Sequence, residues 1–264
     1  MNNINNNCQP VISLENIGLS YMVGKKEQYD AIVDINLNIY KGDFVCVLGK
    51  SGCGKSTLLN IIAGFLMPTQ GTAKILGTPI KGPDKNRAVV FQNATLYPWL
   101  STYDNVAFGL KMRKLPKEQI KQLTEKYIDS VGLADFASSK PYELSGGMRQ
   151  RAALARVLVN EPEIILMDEP FGALDALTRV HMQELVRNIR KEVGSTMFMI
   201  THDVDEALTL ANRIIVLSNR PGTIVRSIET DFCDRIKNAA DDDIKYSEEY
   251  RLLRAEILDI INAD

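Results

Sequence analysis

No apolar run of about 18 residues occurs in the chain, so no segment has the length and composition of a membrane-spanning helix. The polar start Met1-Asn2-Asn3-Ile4-Asn5-Asn6-Asn7 lacks the apolar stretch of a secretory signal, and residues 1–10 read as a disordered N-terminus. Cysteine is sparse: Cys8, Cys46, Cys53 and Cys233 lack metal-binding spacing. Disulfides are therefore not expected, which fits a reducing compartment. Charge is nearly balanced, with a formal net charge of −2, so no overall field favours nucleic acid. No internal repeat is present. What remains is ordinary for a globular chain of 264 residues: 45% hydrophobic and 24% charged, enough for one large domain or two small ones.

Against that background one stretch stands out: Gly49-Lys50-Ser51-Gly52-Cys53-Gly54-Lys55-Ser56-Thr57. The apolar Phe44-Val45-Cys46-Val47-Leu48 before it reads as a buried strand. Leu58-Leu59-Asn60-Ile61-Ile62-Ala63 after it reads as a helix ending at Gly64. Strand, glycine-rich loop and helix are the context of a phosphate-binding P-loop. Its glycines let backbone N–H groups turn toward a polyphosphate, and the helix N-terminus adds partial positive charge. Lys55 would reach the β- and γ-phosphates, and the Ser56 hydroxyl would ligate Mg²⁺. Cys46 reads as a small core hydrophobe. Cys53 reads either as a reactive thiol in an electropositive loop or as a tolerated small residue.

The rest of the pattern is α/β. Strands are expected at 11–21, with a turn-prone Gly18, at 33–39 and at 72–76, the last followed by a turn at Gly77-Thr78-Pro79. Together the first strands form an antiparallel layer. A buried strand at 88–91 ends at Gln92. Residues 102–133 read as helical, with Ile120, Leu123, Tyr127 and Val131 on one face, Pro116 in a first turn and Gly132 as a stop. Strands at 164–167, 196–200 and 214–217 alternate with helices at 176–192 and 203–210, which implies a parallel sheet with helices on both faces. Residues 247–261 form an amphipathic, charged helix on the outside.

Two further stretches carry chemistry. Ile164-Ile165-Leu166-Met167-Asp168-Glu169 is an apolar strand ending in two carboxylates. Beside a P-loop, Asp168 suits a metal and Glu169 suits an attacking water. In Leu144-Ser145-Gly146-Gly147-Met148-Arg149-Gln150, Ser145 is a good N-cap, and the two glycines leave a helix start open to an anion.

In this order the motifs resemble those of the ATP-binding subunit of ABC transporters, over almost all of the chain from Ile12 to Glu229. Residues 49–56 match Walker A, Gln92 the Q-loop glutamine, 144–150 the signature, and 164–169 Walker B with its catalytic glutamate. Ala173-Leu174-Asp175 matches the D-loop, and Thr201-His202-Asp203 the switch histidine. Tyr21 matches the aromatic that stacks on adenine, with Tyr29 as its rival. The resemblance implies an ABC ATPase fold: a RecA-like, mostly parallel sheet, an antiparallel β-subdomain and an α-helical subdomain. It places the ATPase domain at 11–230, the helical subdomain at roughly 93–160 and a helical extension at 231–264.

The same resemblance implies ATP and Mg²⁺ as cofactors, with Ser56, Gln92 and Asp168 toward the metal. It assigns Glu169, His202, Gln92 and Lys55 to catalysis, and Ser145, Gly146 and Gly147 to the γ-phosphate held by a second copy packed head to tail. It further implies integral-membrane permease subunits, an extracytoplasmic solute-binding protein acting indirectly, no nucleic acid, and a peripheral position on the cytoplasmic side of the membrane.

Leu96-Tyr97-Pro98-Trp99-Leu100-Ser101, Asp104-Asn105-Val106-Ala107-Phe108-Gly109-Leu110 and Asn219-Arg220-Pro221-Gly222-Thr223-Ile224 resemble the importer branch for nitrate, sulfonates and taurine. Asn93-Ala94-Thr95 departs from that branch, which leaves the solute open. An exporter ATPase and a soluble ABC ATPase without transport are the alternatives. A P-loop kinase would not account for residues 144–150. The 96–100 stretch reads either as packing within the helical insertion or as an exposed groove for a short permease helix.

Overall fold

β1 (Ile12–Val23) and β2 (Glu27–Ile39) pair antiparallel, with Ile12 opposite Ile39 and Leu14 opposite Leu37. All four of these side chains are buried, as the pleat requires of residues on one face. Gly18 does not end β1; the register shifts between Ile17 and Leu19, and the strand continues past it as a bulge. The computed structural model describes residues 9–23, 27–236 and 243–263. The expected disorder at 1–10 therefore falls mostly outside the described residues.

β3 (Phe44–Leu48) is buried at every position. It leads into α1 (Lys55–Ala63), which Gly64 ends at φ 81. β4 (Gln70–Ile75) is followed by β5 (Thr78–Pro79), which corrects the expected turn at 77–79. The turn is Leu76-Gly77, at φ 48 and 74, and Thr78 is already paired with Ile75. A two-residue loop with both φ values positive matches strand twist, so the hairpin closes one residue earlier than a Gly-Thr-Pro reading suggests.

After β6 (Arg87–Val90) the chain is helical, in two pieces: α2 (Thr102–Met112) and α3 (Lys117–Ser130). The helical stretch expected over 102–133 divides where Lys114 takes φ 57, and Pro116, expected in a first turn, stands at the N-cap of α3. The buried face of α3 is Ile120, Thr124, Tyr127 and Ile128. α4 (Gly146–Leu158) starts at the N-cap Ser145, and α2 packs on both α3 and α4. β7 (Ile164–Asp168) and α5 (Ala176–Val193) follow. The remaining elements are β8 (Thr196–Ile200), α6 (Val204–Leu210), β9 (Arg213–Leu217), β10 (Ile224–Glu229), the short α7 (Phe232–Arg235) and α8 (Glu248–Ala263).

The described residues fall into two units. The first holds 9–85, 196–236 and 243–263; the second holds 86–195. In the first unit β2-β1-β4-β5 form an antiparallel sheet. Alongside it β9, β3 and β8 run parallel, with β3 in the middle and Val47 level with both Ile200 and Ile215. β10 pairs antiparallel with β9, so the sheet is mixed rather than purely parallel. In the second unit β6 and β7 pair in parallel, with Val90 level with Met167.

Candidate nucleotide site

In the first unit the P-loop leaves the buried β3 and enters α1 through Gly54 at φ 97. A Cβ at Gly54 would lie 2.3 Å from Ile32 Cγ2 and 2.8 Å from the Ala31 carbonyl oxygen, so only glycine fits this close approach to β2. No side chain caps α1, and its first turn holds no acidic residue. Its leading N–H groups therefore suit an anion. Lys55 is buried at 8% exposure, and its Nζ donates to the carbonyls of Gly49 at 2.7 Å and Lys50 at 2.9 Å. The amine thus lies within the turn of the loop. Ser51, Gly52 and Ser56 are exposed, while Lys50 and Thr57 are half-buried.

Cys53 is fully buried. Burial raises its thiol above the ordinary range against the smaller lowering effect of Lys55, so the thiol stays protonated. This corrects the reactive-thiol reading and leaves the small buried residue.

No local sequence pattern points to the segment that backs the loop. The Gly222 N–H donates to Ala31 O at 3.0 Å, and the Gly222 carbonyl accepts from Val33 N–H at 3.0 Å. A Cβ on Gly222 would lie 2.0 Å from the Cys53 carbonyl oxygen, and one on Gly52 would lie 2.7 Å from Arg220 Nη2. The segment after β9 is therefore pressed against the P-loop. Gly222→Ala must displace backbone at one of these contacts, and we expect ~10-fold weaker ATP binding, about 1.4 kcal/mol. Calorimetric titration with a non-hydrolysable ATP analogue checks this; unchanged affinity would show that the backing segment does not shape the loop.

Tyr21 and Tyr29, the two candidates for adenine stacking, are register partners across β1 and β2 and so share one face of the sheet. Tyr21 is 40% exposed. At the end of β8, Thr201 N–H donates to Val47 O at 3.3 Å, which puts the exposed His202 at the same end of the sheet as the P-loop.

In the second unit Gln92 donates its Nε2 to Glu169 Oε2 at 3.0 Å, bringing the Q-loop and the strand-end carboxylate together. That leaves the amide oxygen of Gln92 as its acceptor atom. Asp168 closes β7, and Glu169 sits at φ 45, a left-handed conformation that costs a non-glycine residue about 1 kcal/mol or more. Ser145 is exposed, and its hydroxyl accepts from Met148 N–H at 3.2 Å to cap α4. Gly146 is exposed beside it. A Cβ on Gly147 would approach the Ala173 carbonyl at 3.3 Å, so signature and D-loop lie close. Buried Gln150 donates to Phe91 O at 3.2 Å and ties α4 to the residue before Gln92. Asp175 caps α5, and the Thr178 N–H and hydroxyl hold its carboxyl below the usual range.

Tyr97 lies 4.7 Å from the Phe108 ring and 5.6 Å from Trp99, with the Arg156 guanidinium over it at 5.3 Å. Trp99 itself is 69% exposed. An exposed tryptophan at the edge of an aromatic cluster departs from the core-packing alternative.

The sequence matches the ABC transporter family over residues 32–172. It is 46% identical over 250 residues to the taurine import ATP-binding protein TauB of Roseobacter denitrificans, spanning 95% of this chain and 93% of that one. It is 45% identical over 237 residues to the nitrate import ATP-binding protein NrtD of Synechococcus elongatus, spanning 88% and 85%. Among solved structures it is similar to the ATP-binding cassette MJ0796 in a dimeric post-hydrolysis state bound to ADP and Pi. That similarity has a TM-score of 0.74 at 33% identity, and covers 83% of this chain and 98% of the other. The fold is thus the ABC ATPase fold, with its mixed, mostly parallel sheet, antiparallel sheet and helices. Motif order, fold and similarity along the length agree, and the chain belongs to the ABC transporter family.

Proposed function

We propose that this ATPase drives import of a small solute of the taurine, nitrate or bicarbonate type, working as a pair of copies beneath an integral-membrane permease. The observation that carries the reading is the 46% identity over 95% of the chain to a taurine import ATP-binding protein. A nitrate import ATP-binding protein is similar at 45% identity, and a bicarbonate transport ATP-binding protein at 44% identity over 38% of its length. Residues 11–230 serve as the ATPase domain, roughly 93–160 as its helical subdomain, and 231–264 as an extension.

Each residue then has a role. The N–H groups of 49–57 and the Lys55 amine hold the phosphates, and Tyr21 or its partner Tyr29 stacks on adenine. Ser145, Gly146 and Gly147 of one copy touch the γ-phosphate held by the other, so nucleotide joins the two. Glu169 orients the attacking water, and His202 contacts the γ-phosphate. The donors proposed for Mg²⁺ are all hard oxygens: the Ser56 hydroxyl, the Asp168 carboxylate and the Gln92 amide oxygen. Among the described residues no group of three or more His, Cys, Asp or Glu could hold a metal alone. That donor set fits Mg²⁺, which is held by few protein ligands together with substrate phosphates. When bound, it neutralises charge on the β- and γ-oxygens.

The exposed Trp99 supports docking of a permease helix beside Tyr97, which would hold the chain at the cytoplasmic face of the membrane, with a solute-binding protein acting indirectly outside. Proteoliposomes carrying the whole complex test both points. With ATP on the side of this subunit, labelled solute should accumulate on that side, and Trp99→Ala should cost most of the assembly. Solute movement away from the ATP side would establish an exporter. An intact Trp99→Ala complex, with unchanged Trp99 emission on permease binding by the wild type, would place the docking groove elsewhere.

A further inference from the structure

His202 stands in a short loop that is fastened on both sides. The Thr201 hydroxyl donates to the buried Glu206 carboxylate at 2.6 Å and accepts from Asp203 N–H at 3.1 Å. Asp203 caps α6, its Oδ1 accepting from Asp205 N–H at 2.8 Å and Glu206 N–H at 3.2 Å. The residues flanking His202 are therefore locked to the first turn of α6. That turn is gripped in its own right by α8. The Tyr250 hydroxyl donates to Asp205 Oδ1 at 2.9 Å, and Arg254 Nε donates to both Asp205 carboxylate oxygens, at 3.0 and 3.2 Å.

Tyr250 and Arg254 are four residues apart on α8 and so lie on one face. Tyr250 is 1% exposed and packs on the ring of Phe232 at a centroid distance of 5.2 Å; Ile257, one further heptad along, is fully buried. The phenol is pushed well up by burial and by the Asp205 carboxylate, so it remains a donor. An unbroken chain of hydrogen bonds thus runs from α8 through Asp205 to the cap at Asp203, next to His202.

We propose that α8 sets the position of His202 for hydrolysis, with Tyr250 and Arg254 as positioning residues acting through Asp205. This rests on the reading that His202 contacts the γ-phosphate. A merely structural clamp would lower stability and leave the turnover of the folded protein alone. A positioning clamp lowers kcat and leaves ATP binding, which the P-loop provides, unchanged.

The test uses the full chain with Tyr250→Phe, Arg254→Gln, His202→Ala and the double variant Tyr250→Phe/His202→Ala. Arg254 is 45% exposed at its side chain, so its replacement spares the core if Tyr250→Phe melts early. The chain has only two histidines, His181 and His202, and their ring-proton NMR signals can be followed separately. Tyr250→Phe should lower kcat about 10-fold at unchanged KM for ATP. It should move the His202 signal, leave the His181 signal in place, and slow the residual hydrolysis of His202→Ala no further. If His202→Ala is impaired while both clamp variants keep wild-type kcat and an unmoved His202 signal, the clamp is structural only and the proposal is overturned. An equal loss from Tyr250→Phe with and without His202 also overturns it, since the effect then bypasses His202. Wild-type hydrolysis by His202→Ala removes the role of His202 itself, and this inference with it.

Discussion

Lys55→Ala should lose ATP hydrolysis by at least ~10²-fold, with strongly weakened ATP binding and a circular dichroism spectrum like that of the wild type. The size follows from what the amine does. It is a buried charge within a loop whose other contribution to a polyphosphate is backbone N–H dipoles, and charge-assisted hydrogen bonds to phosphate are roughly twice as strong as neutral ones. Its two bonds to the Gly49 and Lys50 carbonyls, at 2.7 and 2.9 Å, also draw the loop around it. Alanine removes both the charge and the tie. The fold should survive because α1 keeps its apolar face, with Leu58, Leu59, Ile61 and Ile62 buried. Fluorescent-nucleotide titration and phosphate release, run on variants verified as folded, check the outcome. Equal rates for mutant and wild type would remove the P-loop assignment.

Which features could be read from sequence depends on how far apart their parts lie. The P-loop, the signature helix and the acidic strand end are contiguous, so their local chemistry specifies strand, loop and cap without reference to the rest of the chain. Ser145 as N-cap and Gly194 as the stop of α5 belong to the same class. The Gln92–Glu169 pair spans 77 positions and the Tyr250–Asp205 bond spans 45, and no periodicity announces either. Gly222 looks like an ordinary turn glycine after a proline; its need to be glycine comes from the Cys53 carbonyl.

Elements with weak patterning were missed for related reasons. β10 has only half-buried and exposed positions, so it shows no clean alternation. α7, inside the helical extension expected at 231–264, is four residues long and too short for a helical period to set its bounds. Pro116 marked the start of α3 in the sequence, but the positive φ of Lys114 that ends the preceding stretch is not something lysine chemistry suggests. For Cys53, nearby positive charge left a reactive thiol and a tolerated small residue both open, and complete burial decides for the second.

The second large effect concerns the carboxylate that Gln92 holds. Glu169→Gln preserves size and the hydrogen-bonding partner of Gln92, and removes the negative charge and the base. Hydrolysis should fall at least ~10²-fold, the low end for loss of a general base. Nucleotide binding should survive, because the P-loop groups that provide it are untouched. On the proposed role of Glu169, its neutralisation leaves one negative charge fewer facing the γ-phosphate, and two ATP-loaded copies should close on each other and stay closed. Ser145→Arg, added to Glu169→Gln, should undo the closure by placing a bulky cation where the capped start of α4 is proposed to meet the partner's nucleotide.

Size-exclusion chromatography with light scattering, on Glu169→Gln protein with and without ATP and Mg²⁺, tests the shared-site account most directly. The account predicts a monomer without nucleotide, a dimer with it, and a monomer again when Ser145→Arg is added. A Glu169→Gln protein that stays monomeric in ATP and hydrolyses at the wild-type rate would contradict both the catalytic role of Glu169 and the pairing of two copies around ATP.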